Sequence, residues 1–244
     1  MKILVCISNV PDTTTRIVFS DGKGLNPAGV QFIINPYDEI ALTRALELKE
    51  ALGGTVTVIN VGTASTEPNI RKALAIGADD AIRINAEPTD AFFVAAQIAE
   101  AAKKNSYDLI LTGRESIDFN GAQVAAMVAE ILDLPCITVA TKLDISGTEA
   151  VFEREIDGGK EVVSSPLPCV ASAQKGMAEP RIPNMRGIMS ARTKPLLVLE
   201  PSPLNKNSES VKFEMPLAKQ AVKLIKADEP GKLVDLLHTE AKVI

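Results

Sequence analysis

Through the first half of this chain, short apolar runs alternate with longer amphipathic stretches that end in glycine or lysine, and no other feature narrows the fold as far. The runs at residues 2–8, 55–61 (TVTVINV), 80–84 (DAIRI) and 108–112 (DLILT) are each bounded by polar residues or glycine, as strands covered on both faces are. Between them, residues 36–52 carry Ile40, Leu42, Ala45, Leu46, Leu48 and Leu52 at helical spacing, with Gly53-Gly54 as a stop. Residues 67–76 follow Thr66, a good N-cap, hold Pro68 in the first turn and end at Gly77. Residues 89–104 present Phe92, Phe93, Ala96, Ile98 and Ala99 and finish on Lys103-Lys104, cations that suit the negative end of a helix. Residues 122–132 are apolar almost all round, which predicts a buried helix. Alternation at this spacing predicts an α/β fold: a doubly wound, mostly parallel, Rossmann-like sheet flanked by helices.

The rhythm breaks twice. Residues 16–20, the turn Asp21-Gly22-Lys23-Gly24 and residues 30–34 read as a hairpin inserted before the first long helix. After Pro135, residues 138–145, 150–156 and 160–165 read as an added antiparallel β segment, punctuated by Ser146-Gly147 and Asp157-Gly158-Gly159, with a further strand at 169–174. Residues 179–194 are irregular and basic, and 201–210 form a polar linker. Helical patterns at 216–226 and 231–239 close the sequence. The expected organisation is one α/β nucleotide-binding domain over 1–200, then a linker and C-terminal helical arm over 201–244.

Composition limits the chemistry. The 244 residues are 46% hydrophobic and 23% charged, enough apolar material for a core and too much for a disordered chain. Lys and Arg number 26 against 31 Asp and Glu, with no basic run able to track phosphates, so nucleic acid is not an expected partner. The first apolar run stops at Ser8-Asn9, too soon for a signal peptide or a spanning helix, so a membrane protein is not expected. Cys6, Cys136 and Cys169 contain no C-x-x-C pair, cannot hold an iron–sulfur cluster or a standard zinc ion, and fit a reducing cytoplasm. With His238 as the single histidine, a Ser-His-Asp or Cys-His pair is not expected either. Neither catalytic residues nor a metal site are predicted.

Ligands of open parallel sheets sit beyond the carboxyl ends of the strands, near the point where strand order reverses. The segments to examine are therefore Ser8-Asn9, Val61-Gly62-Thr63 and the stretch from Gly113 to Gln123. The last leaves a strand, contains two glycines and enters an apolar helix. Two readings stand open: an anion seat for phosphate on free backbone N–H groups, or a helix start at which Asp118 or Asn120 merely satisfies them. Neither G-x-x-x-x-G-K-[ST] nor G-x-G-x-x-G is present, which disfavours a P-loop NTPase and a dinucleotide fingerprint. In Asn35-Pro36-Tyr37-Asp38-Glu39, Asn35 fits as N-cap, Pro36 as first helical residue, and the acids complement the helix dipole. From Pro180 to Leu199 the chain carries Arg181, Arg186, Arg192 and Lys194 and no acid, with Met185, Ile188 and Met189 between them. That pattern suits either a docking surface or a basic loop ending in a short helix whose methionines are core.

Lys2-Ile3-Leu4-Val5, Asn35-Pro36-Tyr37-Asp38-Glu39-Ile40-Ala41, Ala73-Leu74-Ala75-Ile76-Gly77-Ala78-Asp79, Gly113-Arg114-Glu115-Ser116-Ile117-Asp118 with Gln123, Arg154-Glu155-Ile156-Asp157-Gly158-Gly159 with Glu161, Leu167-Pro168 and Glu179-Pro180-Arg181 occur in this order. The ordered set resembles the beta (small) subunit of electron-transfer flavoprotein across nearly the whole chain, weakening after about Leu204. The resemblance implies a heterodimer with an alpha subunit, FAD held mainly in that larger partner and one structural AMP in this subunit. Carried over by position, the AMP site comprises Cys6, Asn35, Pro36, Tyr37, Asp38, Val61, Gly113, Arg114, Glu115, Ser116, Ile117, Asp118, Phe119, Asn120, Gly121, Ala122, Gln123 and Val124. A recognition loop, with Met185 as apolar anchor and Arg181, Ile188, Met189 and Arg192 around it, implies docking of acyl-CoA dehydrogenase-type flavoenzymes. Electrons would then pass to a quinone-linked acceptor oxidoreductase, as in fatty acid oxidation. The chain departs from the family pattern at Ser8-Asn9, where a basic residue is usual, near Thr13, often aromatic, at Val124-Ala125-Ala126, commonly small and polar, and at Ala171-Ser172. The arginine-rich stretch of relatives that bind a second FAD is not evident after Asp157, which favours AMP. The competing class is a stand-alone ATP-binding or hydrolysing α/β protein of the stress-protein or pyrophosphatase kind, and a third is a structural scaffold without nucleotide.

Overall fold

The computed structural model describes residues 1–20, 24–218 and 221–244. The expected turn residues Asp21, Gly22 and Lys23, and Lys219 and Gln220 of the penultimate helical pattern, lie outside the described residues. The strands are β1 (Lys2–Cys6), β2 (Asn9–Pro11), β3 (Phe32–Ile34), β4 (Thr55–Val61), β5 (Asp80–Ile84), β6 (Leu109–Gly113), β7 (Cys136–Ser146), β8 (Glu149–Ile156), β9 (Gly159–Pro166), β10 (Cys169–Ala173) and β11 (Leu196–Leu199). The helices are α1 (Pro36–Leu52), α2 (Glu67–Ile76), α3 (Ala91–Lys103), α4 (Val124–Leu132), α5 (Met185–Ala191) and α6 (Pro230–Leu236). The chain separates into two compact units, residues 1–17 with 26–211, and residues 18–25 with 212–244.

In the larger unit, nine strands form one sheet in the order β11-β5-β4-β1-β6-β10-β7-β8-β9. Neighbours run parallel from β11 to β7, while β8 and β9 continue as an antiparallel meander. The fold is thus the doubly wound, mostly parallel α/β sheet with an added antiparallel segment. Strand periodicity divides the core: Ile3 and Val5 of β1 join Leu42, Leu46, Ile70 and Leu74 of α1 and α2 on one face. Leu4 and Cys6 join Ile98 and Val128 of α3 and α4 on the other.

Several expectations need correction. Residues 32–34 pair antiparallel with Asn9–Pro11 and not with residues 16–20, of which Phe19 makes only an isolated bridge to Leu25. The helix expected from 122 starts at Val124, because Asn120 and Ala122 both adopt φ of 50°. It buries Ala125, Val128 and Ala129 on one side and leaves Ala126 and Glu130 exposed, so it is not buried all round. The run Leu196–Leu199 is a strand that the basic context hid; it pairs parallel with β5 at the sheet edge. The described residues of 216–226 are not helical. Leu217 is 96% exposed and Leu224 88%, so no buried face offsets the cost of nucleating a helix there. The last pattern does form, as α6 continued by a π-turn at Leu237–Ala241.

Candidate functional site

β1 lies between β4 and β6, so the chain winds outward on one side of β1 and then on the other, which places the switch point at the carboxyl ends of β1 and β6. A cleft of about 700 Å³ opens there. Its walls are the loops after β1, β4 and β6, the start of α4, residues 87–91 and residues 208–210.

Asp38 fastens the cleft floor. Its carboxylate accepts from the Ser8 N–H at 2.7 Å and the Gly113 N–H at 2.9 Å, so one side chain on the first turn of α1 joins the ends of β1 and β6. Burial raises its pKa to about 7, against the pull of hydrogen bonds from Asn35, Ser8 and Gly113. Gly113 must be glycine: a Cβ there would stand 2.3 Å from Asp38 Oδ1 and 2.6 Å from Tyr37 Cβ. Asn35 does not cap α1 with its side chain. Fully buried, it donates from Nδ2 to the Glu115 carbonyl at 2.8 Å and accepts from the Ile117 N–H at 3.2 Å, pinning the loop after β6.

The loop after β4 is fixed from behind by residues that motif reasoning missed. Buried Asn60 donates to the Ile7 carbonyl at 2.8 Å and accepts from the Thr66 hydroxyl at 2.8 Å. Arg83 donates to the Gly62 carbonyl at 3.0 Å and to Asn85 Oδ1 at 2.8 Å. Polar residues inside apolar strands (Asn60 in TVTVINV, Arg83 in DAIRI) were the available signal, since a buried polar group requires partners.

Of the site residues expected from sequence, the cleft takes in Cys6, Asp38, Val61, Gly113, Arg114, Glu115, Ser116, Asp118, Phe119, Gly121, Ala122, Gln123 and Val124. Asn35, Pro36, Tyr37, Ile117 and Asn120 do not line it; Asn35 supports it from behind, and Asn120 closes the turn by donating its N–H to the Ser116 carbonyl at 2.8 Å. Cys6 is a poor nucleophile, because burial and then the Asp38 charge push its thiol far up. The described lining carries the carboxylates of Asp38, Glu87, Asp90, Glu115, Asp118 and Glu209 against the single cation Arg114. That guanidinium lies 5.5 Å over the Tyr37 ring and 3.2 Å from Glu115, so its charge is already engaged. The N-cap of α4, Gln123, makes no side-chain cap bond. No side-chain cap is therefore spent on the first N–H groups of α4, where the chain enters the cleft. Among the described residues, no group of three or more His, Cys, Asp or Glu is placed to hold a metal ion.

A second surface is built on α5. The Asn184 side chain caps it by accepting from the Gly187 N–H at 2.8 Å. Gly187 lies so close to α2 that a Cβ would be 2.2 Å from the Ala75 carbonyl oxygen. Arg71 donates to the Ala191 and Lys194 carbonyls at 2.8 and 2.7 Å, and Lys194 donates to the Leu74 and Ala78 carbonyls at 2.8 and 2.6 Å. Met185 and Met189 are 73% and 68% exposed on this seat, so the methionines are not core. Ile188 and Arg192 line a shallow groove with Pro68, Arg71 and Pro183. Arg181 is held by Glu50 in a bidentate pair at 2.5 and 2.9 Å, while Arg186 and Arg192 make no ion pair among the described residues.

A family model described as the electron transfer flavoprotein domain matches residues 24–204. The electron transfer flavoprotein subunit beta of Bacillus subtilis is 40% identical over 100% of both chains. The human subunit of the same name is 36% identical over 84% of this chain and 83% of its own. The acryloyl-CoA reductase electron transfer subunit gamma of Anaerotignum propionicum is 34% identical over 82% of this chain and 78% of its own. No described helix is long and apolar enough to cross a membrane. With these relatives spanning its length and that domain covering most of it, the chain belongs to the electron transfer flavoprotein family, as a beta subunit.

Proposed function

We propose that this chain is the nucleotide-holding and partner-docking half of a cytoplasmic heterodimeric electron carrier. It pairs with an alpha subunit, buries one AMP in the switch-point cleft, and presents the α5 surface to acyl-CoA dehydrogenase-type flavoenzymes. Electrons collected on FAD, held with the alpha subunit, then pass to a quinone-linked acceptor. The flavin supplies the redox chemistry, and this chain contributes no catalytic residue of its own.

The observation that carries the reading is the donor set of the cleft. Backbone N–H groups at the uncapped start of α4 suit one phosphate group, and the carboxylates around them oppose the additional charge of a di- or triphosphate. Gly113, Asp38 and Asn35 hold the β6–α4 loop in place before any ligand arrives, so little ordering has to accompany binding. Exposed methionines on a seated helix suit a small, transient redox contact that accepts more than one partner. A relative named for acryloyl-CoA reductase supports a partner that handles CoA thioesters. Of the expected arm over 201–244, residues 212–244 separate from the larger unit and act on the alpha subunit, which would cover Leu217, Val222 and Leu224, all exposed in the isolated chain.

The test is mass spectrometry of the supernatant after denaturing the co-purified heterodimer, with an absorption spectrum of the native complex. AMP together with a flavin spectrum is the expected result. A colourless lone chain that turns over ATP overturns the proposal in favour of a nucleotide hydrolase, and absence of any nucleotide points to a scaffold.

A further inference from the structure

Residues 202–210 do not run free after the last strand of the sheet. Gln97, a buried side chain of α3, makes a two-way pair with the backbone of Ser202, donating from Nε2 to its carbonyl at 2.8 Å and accepting from its N–H at 2.9 Å. Two helical turns earlier, Asp90 divides its carboxylate. Oδ1 caps α3 by accepting from the Phe93 N–H at 2.7 Å. Oδ2 accepts from the Asn207 N–H and the Ser208 N–H, both at 2.6 Å, and from the Ser208 hydroxyl at 3.2 Å. Positions 90 and 97 share one side of the helix, so the two ties hold one continuous segment against it. Partial burial pushes the Asp90 carboxyl up, but the donors of Phe93, Ser208 and Asn207 outweigh it and hold the group below its ordinary range, so it is charged at neutral pH. From the second tie onward, Ser208, Glu209 and Ser210 line the cleft together with Asp90 itself.

We propose that Asp90 is a positioning residue that latches residues 202–210 onto α3 and makes residues 208–210 the closing wall of the nucleotide cleft, so that this strap sets how long the ligand stays. The proposal rests on the reading of the cleft as an adenylate site. Replacing Asp90 by Asn keeps the size of the side chain but leaves one acceptor oxygen for donors on two sides. The helix cap and the strap can no longer both be satisfied.

The experiment uses the full chain with its alpha partner, loaded with radiolabelled AMP. In Asp90→Asn the label leaves about tenfold faster than in wild type, as expected for loss of charge-assisted hydrogen bonds. Trypsin cuts sooner after Lys206, which lies between the two ties. A purely structural role would lower the melting temperatures of the loaded and nucleotide-free proteins alike; the latch makes the rise on loading itself smaller. Asn207→Pro removes a strap donor and leaves the cap of α3 untouched, so it reads the latch if Asp90→Asn misfolds. Wild-type protein that retains AMP while both variants release it at the wild-type rate overturns the latch alone. Wild-type protein that takes up no AMP overturns the reading of the cleft, and the latch with it.

Discussion

The cleft floor and the α5 seat solve opposite problems with similar means. At the floor, buried side chains (Asp38, Asn35 and Asn60) are spent on backbone groups and on the Thr66 hydroxyl, and they fix three loops around a space. At the seat, Arg71 and Lys194 fasten a single turn-and-helix to the end of α2 and leave its apolar side chains facing outward. Each region contains a glycine at which no Cβ fits without a shift, Gly113 at the floor, with Gly62 in the loop after β4, and Gly187 at the seat. Their consequences differ because one is tied into the sheet and the other only to a neighbouring helix. The space is built into the core, whereas the exposed surface of α5 is fastened onto a helix from outside.

The sharpest way to break this comparison is to place the same methyl group in both. Gly113→Ala drives a Cβ against Asp38 Oδ1 and Tyr37 Cβ, and since neither the strand nor α1 can yield alone, a loss of about 3 kcal/mol or more is expected, with loss of bound nucleotide. Gly187→Ala meets only the Ala75 carbonyl and can be relieved by lifting α5, so about 1 kcal/mol is expected, with nucleotide retained. Chemical denaturation and nucleotide content of both variants check the pair. Equal losses would mean that the seat is as much part of the core as the floor.

Asp38 gives a prediction with a sign. Its folded pKa of about 7 lies above the ordinary carboxyl value of 3.8, chiefly through burial. The native state therefore holds the Asp38 proton where the unfolded chain has released it. The group contributes most stability below the unfolded pKa, and that contribution is lost as pH rises through about 7. Between pH 8 and pH 5, wild type should gain about 2–3 kcal/mol relative to Asp38→Asn. Urea titrations of both proteins across that range check it; a constant difference would mean that the floor titrates like the surface.

Much of the architecture was legible because it rests on periodicity. The runs at 55–61 and 80–84 became β4 and β5, and α1 ends at Gly53 as its pattern indicates. A mostly parallel sheet follows from such alternation, but its strand order, with β10 between β6 and β7, does not. What escaped depends on contacts that sequence spacing does not encode. The partner of residues 32–34 is a three-residue strand at Asn9–Pro11, too short to leave a pattern. Residues 196–199 form a strand only because the edge of β5 is there to receive them. Val139, a β-branched residue at φ of 59°, marks a register shift opposite Ser172 that no propensity predicts. At the site, strand ends pick out the loops that line the cleft, yet Asn35 fits a cap in sequence while its carboxamide serves the loop 80 residues away. Asp90, the residue that ties residues 207 and 208 beside the cleft, gave no signal beyond that of an ordinary helix start.

The smallest change in stability is reserved for the most consequential surface change. Met185 is 73% exposed, so Met185→Glu should shift the stability of the chain by less than about 0.5 kcal/mol. If α5 docks the electron donor, the same substitution puts a charge at the apolar centre of a small interface and slows reduction of the flavin by about tenfold, with flavin content unchanged. Arg181 is already neutralised by Glu50, whereas Arg186 and Arg192 keep their charges facing solvent. Raising ionic strength should therefore slow reduction of wild type further, through these two arginines. Stopped-flow reduction by an acyl-CoA dehydrogenase at two salt concentrations separates the contributions. A rate indifferent to both Met185→Glu and salt would place the docking surface elsewhere, and the contrast between floor and seat would then be one of packing without a difference in purpose.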